Sequence, residues 1–547
     1  MDREFGDFQT PLLLVDAVLK CLRASGKEWS RVIEPTCGRG NFIEGLLKLA
    51  QPPDEIQGIE IQDAHANLAC GVARQSLKTR VVIQRANLFD LHLQRDVQWS
   101  GNGSLLVVGN PPWVTNAELG SLESNNLPAK TNIKGLQGLE ARLGKSNFDI
   151  AEYIWLKLIR ELASEQPTIA LLCKTSVARN VLQFAFEAGL PISNAFIRKI
   201  DAKKWFGAAV DACLFCIEVG SSESCYAATV YDDLFTIEPA FITGIVGRQL
   251  VTDMLAYQRV ASIDGISPVT WRQGLKHDAA PIMELSYDNQ GNLHNKSGEM
   301  IEVEPDYIYP LLKSSDLFND VNMHPHRAVI VPQTRLGENT RALKQTAPRL
   351  WSYLTAHMDI FSQRKSSIYQ GQPPFTLFGI GEYSFALYKV GISGLHKTPH
   401  FRAIGPVDGL PVMLDDTCYF IACNSAEQAA FLTALLNDPL CLELIQSIAF
   451  LDAKRPITKK LLQRIDLRAL YSKVDRQTHI LRVKHELEHL GVKVDLQALE
   501  AVSIESFFGE YAPHVEQARY TMDALFPDNL DILPSTALQA ERLFLSG

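Results

Sequence analysis

The stretch Leu105-Leu106-Val107-Val108-Gly109-Asn110-Pro111-Pro112-Trp113 constrains this chain more than any other. A short apolar run rich in Val and Leu reads as a buried strand. It stops on Gly-Asn, and two prolines then remove two backbone donors and fix φ twice, so the sheet cannot continue. A strand ended in this way presents the Asn110 amide, the Pro111 carbonyl and the flat ring of Trp113 at its carboxyl end. That end is where open α/β sheets keep their ligands. A planar exocyclic amine donates two hydrogen bonds. The Asn110 oxygen and the Pro111 carbonyl can accept one each, and Trp113 can stack on the ring that carries the amine. Taken alone, the motif also reads as a proline-stiffened turn with a structural tryptophan.

The residues upstream bear on that choice. Arg31 to Glu34 reads as a short strand, Gly38 and Gly40 as a turn that lets backbone approach a ligand, and Asn41 onward as a helix. The glycine spacing matches neither a dinucleotide fingerprint nor a Walker loop, so a nucleoside without a pyrophosphate is expected. A tight strand-to-helix turn is the plainer reading. Glu34 suits an ammonium group. A second strand, Glu55 to Ile61, carries Glu60 near its end, about twenty residues beyond the glycines, where doubly wound folds hold ribose hydroxyls. A helix over Asp63 to Leu77 and a strand at Val81 to Ile83 lead to Asn87, placed to read an adenine edge. Thr10 is expected as an N-cap and Pro11 as the first helical residue.

Four short strands joined by turns or helices imply a parallel sheet. Beyond them, a polar, glycine-rich connection over 114–146 is long enough to close over a substrate. A helix is expected from Asn147 to Ala163 and a strand from Thr168 to Cys173. Strands at Pro191 to Ile200 and Val210 to Val219 read as an antiparallel hairpin at one sheet edge, with Trp205 and Phe206 in its loop. Cys213 and Cys216 have zinc-like spacing but lie within a strand and lack a second pair nearby, so no metal is expected.

In this order, Gln9-Thr10-Pro11, Glu34-Pro-Thr36-Cys-Gly38-Arg-Gly40-Asn-Phe42, Glu60, Asn87, Asn110-Pro111-Pro112-Trp113 and Trp205-Phe206-Gly207 resemble the S-adenosylmethionine-dependent adenine-N6 DNA methyltransferases. With the cofactor loop ahead of the Asn-Pro-Pro-aromatic motif and a large domain after both, the chain looks like their gamma class, as found in type II restriction-modification. The likeness is strong over residues 5–220. It continues more weakly through Trp271 to Asp278, Tyr309 to Asp316 and Leu414 to Phe420, which look like the family's target-recognition domain.

The resemblance implies a Rossmann-like α/β methyltransferase sheet (1–225), a mixed α+β target-recognition domain (226–470) and a helical C-terminal segment (471–547). It implies S-adenosyl-L-methionine as cofactor, with Thr10, Glu34, Thr36, Gly38 and Gly40 around its methionine part, Glu60 on the ribose and Asn87 on the adenine. The family usually has Asp at the position of Asn87; an amide oxygen can also accept from an amine. Asn110 and the Pro111 carbonyl would hold the target amine, and Pro112 completes the catalytic motif. Trp113 would stack on the extruded base and Phe206 would contact it from another side.

The length of 547 residues suggests several domains, and the composition is that of an ordinary globular chain. The net charge of -9 does not announce a polyanion partner, but Val321 to Leu410 holds ten Lys and Arg against four acids. A basic segment in an acidic chain suits double-stranded DNA. Arg364-Lys365 and Lys454-Arg455 are charge-based candidates for phosphate contacts. No signal segment and no membrane-spanning run are evident, so a cytoplasmic protein with no membrane partner is expected. A separate cognate restriction endonuclease is a candidate partner, and no nuclease segment is expected ahead of the cofactor region. Two rival readings stay open: a methyltransferase acting on RNA or protein glutamine, and a non-catalytic DNA-specificity subunit.

Overall fold

The computed structural model describes residues 9–24, 26–114, 149–220, 223–319 and 326–493. They divide into two compact units, the first running through Leu255 and the second starting at Ala256. The connection expected over 114–146 lies, beyond Val114, outside the described residues, as does 494–547 of the expected C-terminal segment.

The first unit is built on one sheet. Its strands are β1 (Arg31–Glu34), β2 (Glu55–Glu60), β3 (Arg80–Arg85), β4 (Leu105–Gly109), β5 (Thr168–Lys174), β6 (Ile192–Ile200), β7 (Ala212–Val219), β8 (Ala227–Tyr231), β9 (Phe241–Val246) and β10 (Gln249–Val251). They lie in the order β10-β9-β8-β6-β7-β5-β4-β1-β2-β3. Strands β3, β2, β1, β4 and β5 are parallel, and β7 runs antiparallel between β5 and β6. This is the Rossmann-like α/β arrangement of the methyltransferases.

Strand β4 is buried along its whole length because both faces of the sheet are covered. Leu105 and Val107 face one apolar core, and Leu106 and Val108 the other. The same alternation sends Cys213 and Cys216 to opposite faces of β7, so they cannot share an ion. Helices α1 (Leu12–Arg23), α2 (Asn41–Leu47) and α3 (Asp63–Ala73) connect or flank the first strands. Helix α4 (Ile150–Glu161) begins at Asp149, whose carboxylate accepts the Ala151 N–H at 3.0 Å. Helix α5 (Thr175–Ala188) ends on Gly189, which takes the left-handed conformation that L side chains avoid.

Three expectations need correction. Pro11 is the N-cap of α1 and Thr10 lies before it, buried, with no capping bond, since the Pro11 carbonyl itself takes the N–H groups of Leu14 and Val15. The β6–β7 pair is antiparallel but does not form an edge. A short helix, α6 (Ala202–Phe206), joins the strands, and β6 pairs on its other side with β8. The first unit therefore extends to Leu255 rather than 225, because β8 to β10 continue its sheet.

The second unit contains a five-stranded and a four-stranded sheet. The first has strands Leu293–Asn295, Glu284–Tyr287, Arg327–Ile330, Ile308–Leu312 and Met413–Leu414 in spatial order. The second has Arg272–Gln273, Cys418–Cys423, Tyr388–Ser393 and Phe401–Ile404. Leu350, Leu354, Phe375 and Val329 share one of its cores. A helix at Arg476–His489 packs on the helix at Ala426–Leu436, with His479 edge-on to Phe431 at 4.7 Å. The described part of the expected C-terminal segment thus belongs to the second unit. Among the described residues, no single helix is long and apolar enough to cross a membrane.

Candidate active site

The carboxyl ends of β1, β2 and β4 surround a cleft that encloses about 860 Å³, including its open mouth. Thr10, Glu34, Thr36, Gly38, Glu60 and Asn87 line it, together with Asn110 and Pro112. Elements distant in sequence thus bring the glycine loop and the Asn-Pro-Pro motif to one space. The Thr36 hydroxyl reaches the Asn110 carbonyl at 3.5 Å, which links the two motifs directly.

The glycine loop is shaped by contacts from outside it. Gly38 has φ +53° and Gly40 φ +86°. The Gly38 N–H donates to Glu60 Oε2 at 2.8 Å, and the Gln62 N–H to Glu60 Oε1 at 2.7 Å. Glu60 therefore anchors the loop onto the end of β2 through two charge-assisted bonds. Gln9 Oε1 accepts the Arg39 N–H, and Asn41 Nδ2 donates to the Thr10 carbonyl at 2.7 Å, so the segment before α1 is tied across the loop. Gly40 backs onto Ala69 of α3 and does not line the cleft.

Glu34 is buried at the end of β1. Burial pushes its carboxyl well above the usual carboxylate range; the Ile43 N–H opposes this and the charge of Glu60 adds to it. Its Oε2 has no hydrogen-bond partner among the described residues. The described lining contains two glutamates and no Lys or Arg. Such a cleft disfavours a pyrophosphate and favours a nucleoside that carries positive charge. Asn87 ends the approach to the cleft from β3, and its side-chain oxygen accepts the Phe89 N–H at 3.0 Å, which leaves its amino group as the donor side of that amide.

Pro111 is buried and does not line the cleft. Trp113 is only 6 % exposed, and its indole N–H donates to the Leu172 carbonyl at 3.3 Å. Phe206, the last residue of α6, meets it edge to face. Neither ring lines the cleft.

Sequence reasoning passed over a further pair. Lys174, at the end of β5, holds Asp149 at 2.8 Å, with Asp149 almost fully buried. The Ile150 N–H donates to the Val114 carbonyl, so this ion pair sits where the chain returns beside the Asn-Pro-Pro-Trp motif. The only sequence signal was a lysine closing a core strand.

In the second unit the proposed phosphate ligands divide. Arg364 donates to the Thr376 carbonyl at 2.8 Å and stacks over Tyr369, and Arg455 pairs with Asp416 at 3.0 Å. Both guanidinium groups are held by the protein itself, whereas Lys365 and Lys454 are exposed. Charge alone could not show which cations had internal partners.

Fold and cleft together define a Rossmann-like methyltransferase. No family model matches the chain. It is 36% identical over 475 residues to the type II methyltransferase M.NspV of Nostoc sp., a match spanning 85% of this chain and 97% of that protein. The chain belongs to the type II methyltransferases, the DNA-modifying enzymes of restriction-modification, and S-adenosylmethionine is its methyl donor. Among solved structures, it is similar to the type IIL restriction-modification enzyme MmeI in complex with DNA, with TM-score 0.48, 13% identity and coverage of 91% of this chain and 76% of that one. It is also similar to the type IIG restriction endonuclease BpuSI, with TM-score 0.36, 14% identity and coverage of 89% and 60%.

Proposed function

We propose that this protein methylates the N6 amine of an adenine extruded from duplex DNA, in the cytoplasm, as the modification partner of a separate restriction endonuclease. The observation that carries this reading is the shared cleft. Asn110 and Pro112 border the same space as the acidic nucleoside pocket of Glu34, Gly38, Glu60 and Asn87. The buried, partnerless Glu34 oxygen and the absence of cations from the described lining fit S-adenosylmethionine.

In this reading Glu34, Thr10, Thr36 and the glycine loop hold the methionine part, Glu60 faces the ribose and the Asn87 amide meets the adenine ring. When bound, the cofactor supplies an electrophilic methyl group. Extruding the target base costs a few kcal/mol. The Asn110 side chain and the Pro111 carbonyl accept the two hydrogens of the target amine. This favours a nitrogen moving toward tetrahedral geometry, with its lone pair free to attack. Positioning supplies most of the acceleration. The nitrogen loses its proton once it has gained the methyl group and become cationic, so no ionisable base has to act first. Trp113 and Phe206 supply ring contacts to the extruded base.

The test is transfer of labelled methyl from S-adenosylmethionine to unmethylated duplex DNA by the wild type and Asn110→Ala, with modified bases mapped by sequencing. N6-methyladenine in one short motif, lost in the variant while cofactor binding persists, is the expected result. Label on cytosine, or on RNA or protein in place of DNA, would overturn it.

A further inference from the structure

We propose that the segment from Gln333 to Thr346 in the second unit is a preformed contact loop for duplex DNA, with Arg341 and Lys344 on phosphates and the Arg335-Leu336 turn reaching base edges. The inference rests on the DNA reading above and adds to it the surface that engages the duplex.

The loop is held from within at several points. Gln333 is 2% exposed; its amide donates to the carbonyls of Arg335 and Leu377, at 3.0 and 3.3 Å, and accepts the Leu377 N–H at 3.0 Å. The Glu338 carboxylate accepts from the Thr334 N–H, the Thr334 hydroxyl and the Arg335 N–H, closing a turn in which Gly337 takes φ +78°. Asn339 caps the next turn by accepting the Arg341 N–H, and the buried Thr340 hydroxyl donates to the Pro374 carbonyl. Leu343 is set into the core.

The charged side chains that this framework leaves fully exposed are all cations. Arg335, Arg341 and Lys344 are exposed, and none has an ion pair or side-chain hydrogen bond among the described residues. Arg341 and Lys344 stand three residues apart across consecutive helical turns, which puts them on one side. Leu336 lies beside Arg335 and is 53% exposed.

Four other arginines of this unit are paired with acids. Arg327 pairs with Asp316, Arg349 with Glu304, Arg455 with Asp416 and Arg482 with Asp438. The loop holds three exposed cations against one acid, Glu338, whose Oε2 is taken up by the Thr334 and Arg335 N–H groups and the Thr334 hydroxyl, and its net positive field suits a polyanion. Phosphates alone would not need the apolar Leu336 beside an arginine. Base edges in a groove offer both acceptors and apolar surface.

The test measures binding of the full-length protein to two labelled duplexes over a range of salt concentrations. One duplex contains the methylated motif mapped by sequencing and the other is its scramble. Arg341→Ala and Lys344→Ala are expected to weaken both duplexes alike and to lower the salt slope by about one each. Arg335→Ala is expected to cost roughly ten-fold or more on the motif duplex and little on the scramble. Lys473→Ala is the surface-charge control, and calorimetric binding of S-adenosylmethionine should stay at the wild-type value throughout. A triple variant with wild-type affinity and salt slope would overturn the loop assignment while leaving the DNA reading intact. A wild type that binds neither duplex would overturn the DNA reading, and this inference with it.

Discussion

The indole of Trp113 and the ring of Phe206 meet edge to face, with centroids 5.2 Å apart and planes at 74°. Trp113 follows the two prolines after β4, and Phe206 ends the short helix after β6. Residues from two segments about ninety positions apart thus place their rings in direct contact.

The two rings should respond differently to truncation. Trp113 is buried and hydrogen-bonded to Leu172, so Trp113→Ala is expected to cost about 3–5 kcal/mol of stability in the first unit. Phe206 is only partly buried. Phe206→Ala should keep the melting temperature near wild type and preserve cofactor affinity, while methyl transfer falls about ten- to a hundred-fold with the lost base contact. Melting curves, calorimetry and single-turnover transfer separate these outcomes. A Phe206 variant with full transfer rate would remove that residue from base handling.

Glu34 should couple cofactor binding to pH. Its folded carboxyl titrates above the unfolded value of about 4.3, so the folded chain without cofactor binds the extra proton across that interval. Stability of that form therefore falls as pH rises through the interval. A cationic ligand favours the ionised carboxylate, so binding should release a proton and tighten as pH rises. Calorimetry in buffers of different ionisation enthalpy reads that proton directly. The same proton count in Glu34→Gln would assign it elsewhere.

Gly40 should not tolerate a side chain. Its φ of +86° is strained for any L residue, and a Cβ there would stand 3.2 Å from the Ala69 Cα. Gly40→Ala is expected to cost about 1–2 kcal/mol from backbone strain alone and to weaken S-adenosylmethionine binding by distorting the loop. Equilibrium unfolding and a cofactor titration check both. Wild-type values for stability and affinity would show that the loop adapts.

Lys389 should give the second unit a stability slope at alkaline pH. It is 1% exposed, its ammonium donates to the Ala386 carbonyl, and burial lowers its pKa to about 7, with Cys423 acting in the opposite direction. Between that value and about 10.4 the unfolded chain holds a proton that the folded one lacks. Stability therefore climbs with pH across this window. Lys389→Met should flatten the slope and raise the melting temperature below pH 7. An unchanged slope in the variant would place its origin in another group.

The sequence by itself determined the parallel strands of the first unit, the glycine loop and the Asn110-Pro-Pro-Trp113 corner. Each is written locally, in an apolar run, a residue that tolerates positive φ, or a proline that forbids pairing. Family order in those motifs was enough to expect a methyltransferase. Only the tertiary structure decided which groups meet. Glu60 was legible as an acid ending β2, but its hold on the Gly38 N–H depends on where β1 and β2 pair. Arg364 and Arg455 read as free cations until the fold supplied a carbonyl and an aspartate. Strands β8 to β10 read as part of another domain until they paired onto the first sheet. Periodicity and turn chemistry act over a few residues, whereas hydrogen bonds, ion pairs and ring contacts are chosen by whatever the folded chain brings within a few ångströms.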